Sequence, residues 1–308
     1  MNSRIQLISL LSLISFGLYA EYNPFVDGAA ADVRVCVVDD RGAPVSGARV
    51  SLVFLTDIQK VDVAKGLTDS NGHFNAVRNC IGEMRICVQK DGYYETSRQS
   101  VREFRKLDGT AVIQQRRWAD ATVTIPIQLK KIRNPVRLKS NAVQYRGFPA
   151  TNEVLRLDLE RLDWCPPYGH GKHDDLHLTF DGRSNTDGHG GFFGHLKVDA
   201  PHCADGFYSA RVDSFSSFKY AYAASTNSVY RKTVELRHAY EYGKGVVESK
   251  KLAAGEYLIY RIRSQTNELG EVTHAHYGLI GEGFRQVLGL TMRSVFNPTD
   301  NDTNLEGK

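Results

Sequence analysis

The sequence predicts an all-β protein made of two tandem β-sandwich domains. Three observations lead there. Short runs rich in Val, Ile, Leu, Tyr and Phe recur along the chain. Clusters of Gly, Asn, Asp, Ser and Pro separate them. Within the runs apolar and polar residues alternate, the period of a strand with one buried face. With 308 residues, 42% hydrophobic and 24% charged, the chain is long enough for two cores.

The N-terminus comes first. Arg4 precedes "IQLISLLSLISFGLYA", uncharged from residue 5 to 20. The run is short for a bilayer span and small residues follow it, the layout of a secretory signal peptide. Residues 1–20 are expected to be removed, with cleavage after Ala20; "DGAAA" at 27–31 offers a later site. Residues 21–30 then form a linker. A secreted or periplasmic chain with no membrane span after cleavage is the expectation.

The first domain is expected over 31–133. β-branched runs at 33–39 and 48–55 flank a Gly/Pro/Ser turn. Asn71-Gly72 sits between two short runs and reads as a hairpin. "MRICVQKDGYYE" is a strand ending in Asp91-Gly92. Residues 95–118 are polar and irregular and read as a long surface loop. In "ATVTIPIQL" (121–129), Pro126 cannot donate to a ladder, so that strand belongs at an edge or a bulge.

These segments resemble the carboxypeptidase regulatory-like domain. The residues that carry the likeness are Gly42, Pro44, Gly47, Ala48, Val50, Thr68, Asp69, Gly72, Phe74, Gly92 and Tyr93. The resemblance implies a small transthyretin-like (prealbumin-like, Ig-like) sandwich of about seven strands, an accessory fold that does not define an activity. Its glycines imply turns with positive φ, and Asp69 implies an acceptor for backbone amides in its own turn.

Asn134-Pro135 reads as the boundary, and 134–308 as a second all-β domain. "EVLRLDLERLDW" alternates Leu155, Leu157 and Leu159 with charged residues. "HDDLHLTF" repeats the device with Leu176, Leu178 and Phe180. Similar runs follow to the C-terminus; only 246–254 reads as a candidate helix. The segments "LKKIRNP" (129–135), "LDLERLDWCPPYGHGKHDDLHLTF" (157–180) and "FNPTDNDTNLE" (296–306) resemble a group of secreted bacterial proteins that carry the same first domain. That likeness implies architecture and location. The group's pattern has lysine where His170 stands here.

The cysteines are Cys36, Cys80, Cys87, Cys165 and Cys203. In an oxidising compartment they are expected to pair, and an odd number leaves one over. Cys36 with Cys87, both mid-strand, and Cys165 with Cys203 are the candidate pairs, and the sequence leaves the connectivity open. No CxxC motif is present, so a zinc ribbon is not indicated.

The chemical candidates are mostly histidines. His170, His173 and His177 have helical spacing, but Pro166, Pro167, Gly169 and Gly171 forbid a helix. Asp174 and Asp175 are adjacent and point to opposite faces of a strand, which excludes a carboxylate pair. His274 and His276 in "THAHY" share a strand face and could chelate one metal ion. The glycine-rich 181–195 stretch offers Asp181, Asn185 and Asp187 to calcium, but position 192 is Phe where the closing Glu of a calcium loop belongs. No Gly-x-Ser-x-Gly elbow occurs. Tyr220 and Tyr222 read as one strand face open to a sugar. Net charge is +4, with lysines and arginines scattered, so nucleic acid is not the expected partner.

The overall expectation is a non-catalytic binding or structural module of the cell envelope, with an envelope protein or glycan as partner and no cofactor. The alternatives are a carbohydrate-binding protein, or a zinc-dependent hydrolase of envelope polymer using His170, His173, His177, His274 and His276. The premise is that histidines and acids decorate sheets and turns and do not gather at one point.

Overall fold

The computed structural model describes residues 28–57, 59–101, 121–184, 191–286 and 289–308. The signal peptide (1–20), most of the linker, residues 102–120, and Asn185 and Asp187 of the calcium reading lie outside them.

The protein is all-β: among the described residues there is no α-helix. The first sandwich uses β1 (Ala29–Val38), β2 (Arg49–Leu55), β3 (Val61–Leu67), β4 (His73–Cys80), β5 (Met84–Gln89), β6 (Thr96–Val101) and β7 (Ala121–Gln128). One sheet runs β4-β1-β7 and the other β3-β2-β5-β6. Val33, Val35 and Val37 of β1 interlock with Leu52, Phe54, Ile86 and Val88 in one core. Each such fully buried side chain contributes roughly 1.5–3 kcal/mol. Pro126 sits opposite Cys36 on β7, the edge strand its missing N–H requires.

Two local expectations change. Asn71-Gly72 does not close a hairpin, because β3 pairs with β2 whereas β4 pairs with β1. The turn is instead a corner between sheets. Asp69 accepts the Asn71 and His73 amides at 2.9 and 2.8 Å. Gly72 (φ 76°) lies against the Val37 carbonyl, where a Cβ has no room. Part of the expected surface loop is also ordered, since residues 96–101 form β6 on β5.

The second sandwich contains β8 (Lys139–Arg146), β9 (Val154–Asp158), β10 (Asp163–Trp164), β11 (Leu176–Ser184), β12 (Phe192–Asp199), β13 (Gly206–Arg211), β14 (Thr233–Glu241), β15 (Gly245–Lys250), β16 (Glu256–Thr266), β17 (Val272–Ile280), β18 (Arg285–Gln286) and β19 (Leu290–Phe296). One sheet is β10-β9-β11-β12-β14-β15. The other is β13-β16-β17-β19-β18, with β8 also pairing with β19. The candidate helix at 246–254 is strand β15 over its first half. Gly243 and Gly245, both at positive φ, turn the chain back onto β14.

Between these sheets lie Leu155, Leu157, Leu178, Leu196, Tyr260, Ile262, Met292 and Phe296. The second sheet is also covered on its outer face. Tyr257, Ile259, Tyr277 and Leu279 pack there beneath Tyr220, Ala224 and Leu305. Burial on both faces is why "EYLIYRI" is nearly continuous in apolar residues. Gly278 leaves the space that the Tyr260 ring fills, and the Tyr260 hydroxyl reaches the Val295 carbonyl at 3.1 Å.

Candidate metal centre

The premise that histidines and acids stay apart fails at one point. His274 and His276 both lie on the inter-sheet face of β17, since His276 pairs with Ile262 of the core. They sit at the end of the sandwich, where that face begins to open. Asp300 meets them there. Its Oδ1 is 3.1 Å from His274 Nε2 and 2.9 Å from His276 Nε2. The three ligand atoms lie within 4.8 Å of one another.

Asp300 arrives by a specific route. After β19 the chain continues alongside β17 without forming a regular strand. Asn301 (φ 56°) takes over the pairing: its N–H donates to Ala275 O at 2.9 Å, and its side chain accepts the Ala275 N–H at 2.9 Å. Its Nδ2 also donates to Thr273 O at 3.1 Å. Asn297 holds the preceding turn by donating to Asp302 and Asn304. Asp300 is therefore fixed by backbone bonds on both sides, and the His–Asp geometry is preorganised.

His276 is the deeper of the two histidines and packs on the Phe296 ring at 5.2 Å. Its Nδ1 lies 3.3 Å from the Asn297 carbonyl. A carbonyl only accepts, so Nδ1 carries a proton and donates it, which leaves Nε2 as the nitrogen turned to the cluster. Burial pushes the His276 imidazole below its usual value, against the pull of Asn297 and Asp300.

The other predicted ligands do not join. His177 lies on β11 between inward-facing Leu176 and Leu178, so it faces outward from the opposite sheet. There Nε2 meets Asp174 at 3.0 Å. His170 and His173 sit in the loop ahead of β11, their amides bound by Asp163 and Asp158. Of the five predicted histidines the structure brings together His274 and His276, with Asp300 beside them.

The 157–180 motif does structural work. Asp158 accepts the amides of Arg161, Lys172 and His173. Asp175, fully buried, accepts the Leu159 amide and a two-pronged bond from Arg263, with Nε–Oδ1 at 2.8 Å and Nη2–Oδ2 at 2.9 Å. Arg263 also reaches Glu160 at 3.0 Å. It stands at a bulge in β16 with φ 55°. There its own amide and that of Ser264 bind Asp205. Burial raises the Asp205 carboxyl above its ordinary value.

None of the five cysteines is joined to another. Cys36 and Cys87 lie mid-strand but out of step with the core residues Val35, Val37, Ile86 and Val88. They face away from each other on opposite outer surfaces. Cys165 is buried and donates to the His173 carbonyl at 3.2 Å, while Cys203 is exposed.

Between the sandwiches runs a polar and aromatic seam. The Lys130 ammonium bonds the Asp213 carboxylate and, at 2.6 Å, the Tyr220 carbonyl. It lies 4.9 Å from the Phe218 ring and 4.8 Å from that of Tyr222. Glu306 accepts from Tyr94, Arg133 N and Asn134 N. The backbones of Glu95 and Ser217 join at 2.8 Å. Tyr220 and Tyr222 are thus packing groups in irregular chain, with Tyr220 edge-on to Tyr257, and do not form a strand platform. A groove of about 740 Å³ along this seam is lined by Ser97, Pro126, Phe215, Lys219 and Glu282 among others.

No family model matches the chain, and no curated protein matches it in sequence. Among solved structures it is similar to the 3-chlorocatechol 1,2-dioxygenase of Rhodococcus opacus. That match has 16% identity and a TM-score of 0.26, covering 34% of this chain and 61% of that one. The chain thus spans less than two thirds of that enzyme. It is also similar to the shaft pilin SpaA of Lactobacillus rhamnosus GG, with 10% identity, 90% and 95% coverage, and a TM-score of 0.23. BcpA, the major pilin subunit of Bacillus cereus, matches with 12% identity, 90% and 100% coverage, and a TM-score of 0.22. Among the described residues no helix is long and apolar enough to cross a membrane.

Proposed function

We propose that this chain is a non-catalytic binding or structural module of the bacterial cell envelope, working outside the cytoplasm. In this reading residues 31–133 and 134–308 are its two units. The observation that carries it is the seam. A lysine side chain only 2% exposed, a carboxylate that caps two backbone amides, and a set of rings packed at a tilt join the two sandwiches. Polar bonds of this kind hold direction as well as distance, so the two units keep one relative orientation. A rigid two-sandwich unit suits a part that spans or presents. The apolar, uncharged N-terminal run supports export.

The test is fractionation followed by binding. The full chain, tagged at its C-terminus and expressed in a bacterium, should leave the cytoplasm and sediment with isolated envelope material. The purified protein should bind murein sacculi or outer-membrane vesicles without releasing soluble fragments from them. Recovery in the cytosol, or zinc-dependent release of fragments, would overturn the reading.

A further inference from the structure

We propose that His274, His276 and Asp300 bind one divalent transition-metal ion of the zinc class, and that the ion fastens the C-terminal segment 297–306 to the sheet. The proposal is separate from the envelope reading.

Donor chemistry selects the metal. Two imidazoles and one carboxylate suit zinc and its neighbours, whereas calcium and magnesium take all-oxygen shells. Three protein ligands with an open position is a recurrent zinc arrangement. Ligands about 2.0–2.1 Å from a tetrahedral ion are about 3.3 Å apart. The present separations of 2.9 and 3.1 Å from Asp300 to the two rings need only small side-chain adjustments to admit it.

The bonds around His276 set the aim of the site. Its Nδ1–H donates to the Asn297 carbonyl at 3.3 Å, so Nε2 is the nitrogen turned toward Asp300, 2.9 Å away. A proton on Nε2 or a metal ion can bridge that contact, and a single ion placed there also meets His274 Nε2, which shares the same Asp300 oxygen. The Asn297 carbonyl then acts as the outer-shell group that fixes the ring's tautomer and aim.

The consequence reaches the seam. Asp300 belongs to the same short segment as Asn304 and Glu306, which bond the 133–134 linker between the sandwiches. An ion at Asp300 pins that segment to β17 from one side while Glu306 holds the linker from the other.

The experiment uses the full chain, stripped with chelator and then given zinc alone or cobalt(II) alone. Expected results are one equivalent of zinc retained through gel filtration and visible cobalt d–d absorption of a low-coordinate site. Zinc at hundredfold excess over Kd should raise Tm by roughly 5–10 °C, and hydrogen exchange should slow in 297–306. His276→Ala and Asp300→Ala should each abolish retention, whereas His177→Ala should keep it. Asp300 is half exposed, so Asp300→Ala tests the site even where His276→Ala fails to fold. Zinc retention that survives Asp300→Ala, or no retention by the unmodified chain, would refute the site. Retention without slower exchange in 297–306 would refute the fastening role.

Discussion

Lys130 Nζ stands 2.9 Å from Asp213 Oδ2 across the seam, with the lysine side chain 2% exposed and the aspartate side chain 55% exposed. The asymmetry decides what each partner is worth. Removing the carboxylate leaves the ammonium its carbonyl acceptor and two aromatic faces. Removing the ammonium leaves a void and an unpaired Tyr220 carbonyl.

Lys130→Ala should therefore cost about 2–3 kcal/mol, and Asp213→Asn only about 0–1 kcal/mol. Lys130→Met, which keeps the stem between Phe218 and Tyr222, should recover much of the loss. Urea midpoints at constant m-value measure all three. Equal losses for Lys130→Ala and Asp213→Asn would mean that the ion pair, not the cage around the lysine, carries the seam.

The bidentate Arg263–Asp175 bond ties the 157–175 segment to the opposite sheet. Asp175→Ala strands a guanidinium that is mostly out of water and should cost about 3–5 kcal/mol. Arg263→Lys should not substitute, because an ammonium cannot span both carboxylate oxygens and Glu160 together. Thermal unfolding of both variants checks this; a wild-type Tm for Arg263→Lys would contradict it.

Acid stability should carry the signature of Glu160. Burial by itself would raise this carboxyl, but bonds from Lys139 and Arg263 outweigh it and hold it at about 2, against an ordinary 4.5. The folded state thus binds the proton less well than the unfolded chain. Its contribution is complete above pH 4.5 and is lost as pH falls from there toward 2. Glu160→Gln should lower stability near neutrality and flatten the acid limb over that window. Stability measured against pH from 7 to 2 would show it, and an unchanged acid limb would count against the network.

Thiol chemistry provides a further check. All five cysteines should react with a thiol reagent in denaturant without prior reduction. In the folded protein Cys203, the exposed one, should react first. Burial pushes the Cys87 thiol up to about 11, with Glu95 adding to the effect, and burial also raises Cys165. Both should be slow. Fewer than five reactive thiols in denaturant would indicate a disulfide.

By itself the sequence determined the all-β class, the edge position of the Pro126 strand, the acceptor role of Asp69 and the glycine turns at 42, 47, 72 and 92. These are legible because period-two alternation, a missing N–H and positive φ are properties of neighbours in the chain. His274 and His276 were legible as a pair for the same reason. Tertiary structure alone decided the rest. It brought Asp300 to the two histidines, closed Arg263 on Asp175, turned Cys36 and Cys87 away from each other, and made the Asn71-Gly72 turn a corner between sheets. Each of these depends on which strands pair and on which face a distant residue lands. Strand pairing is a long-range choice set by burying both sheets at once, and no local pattern encodes it.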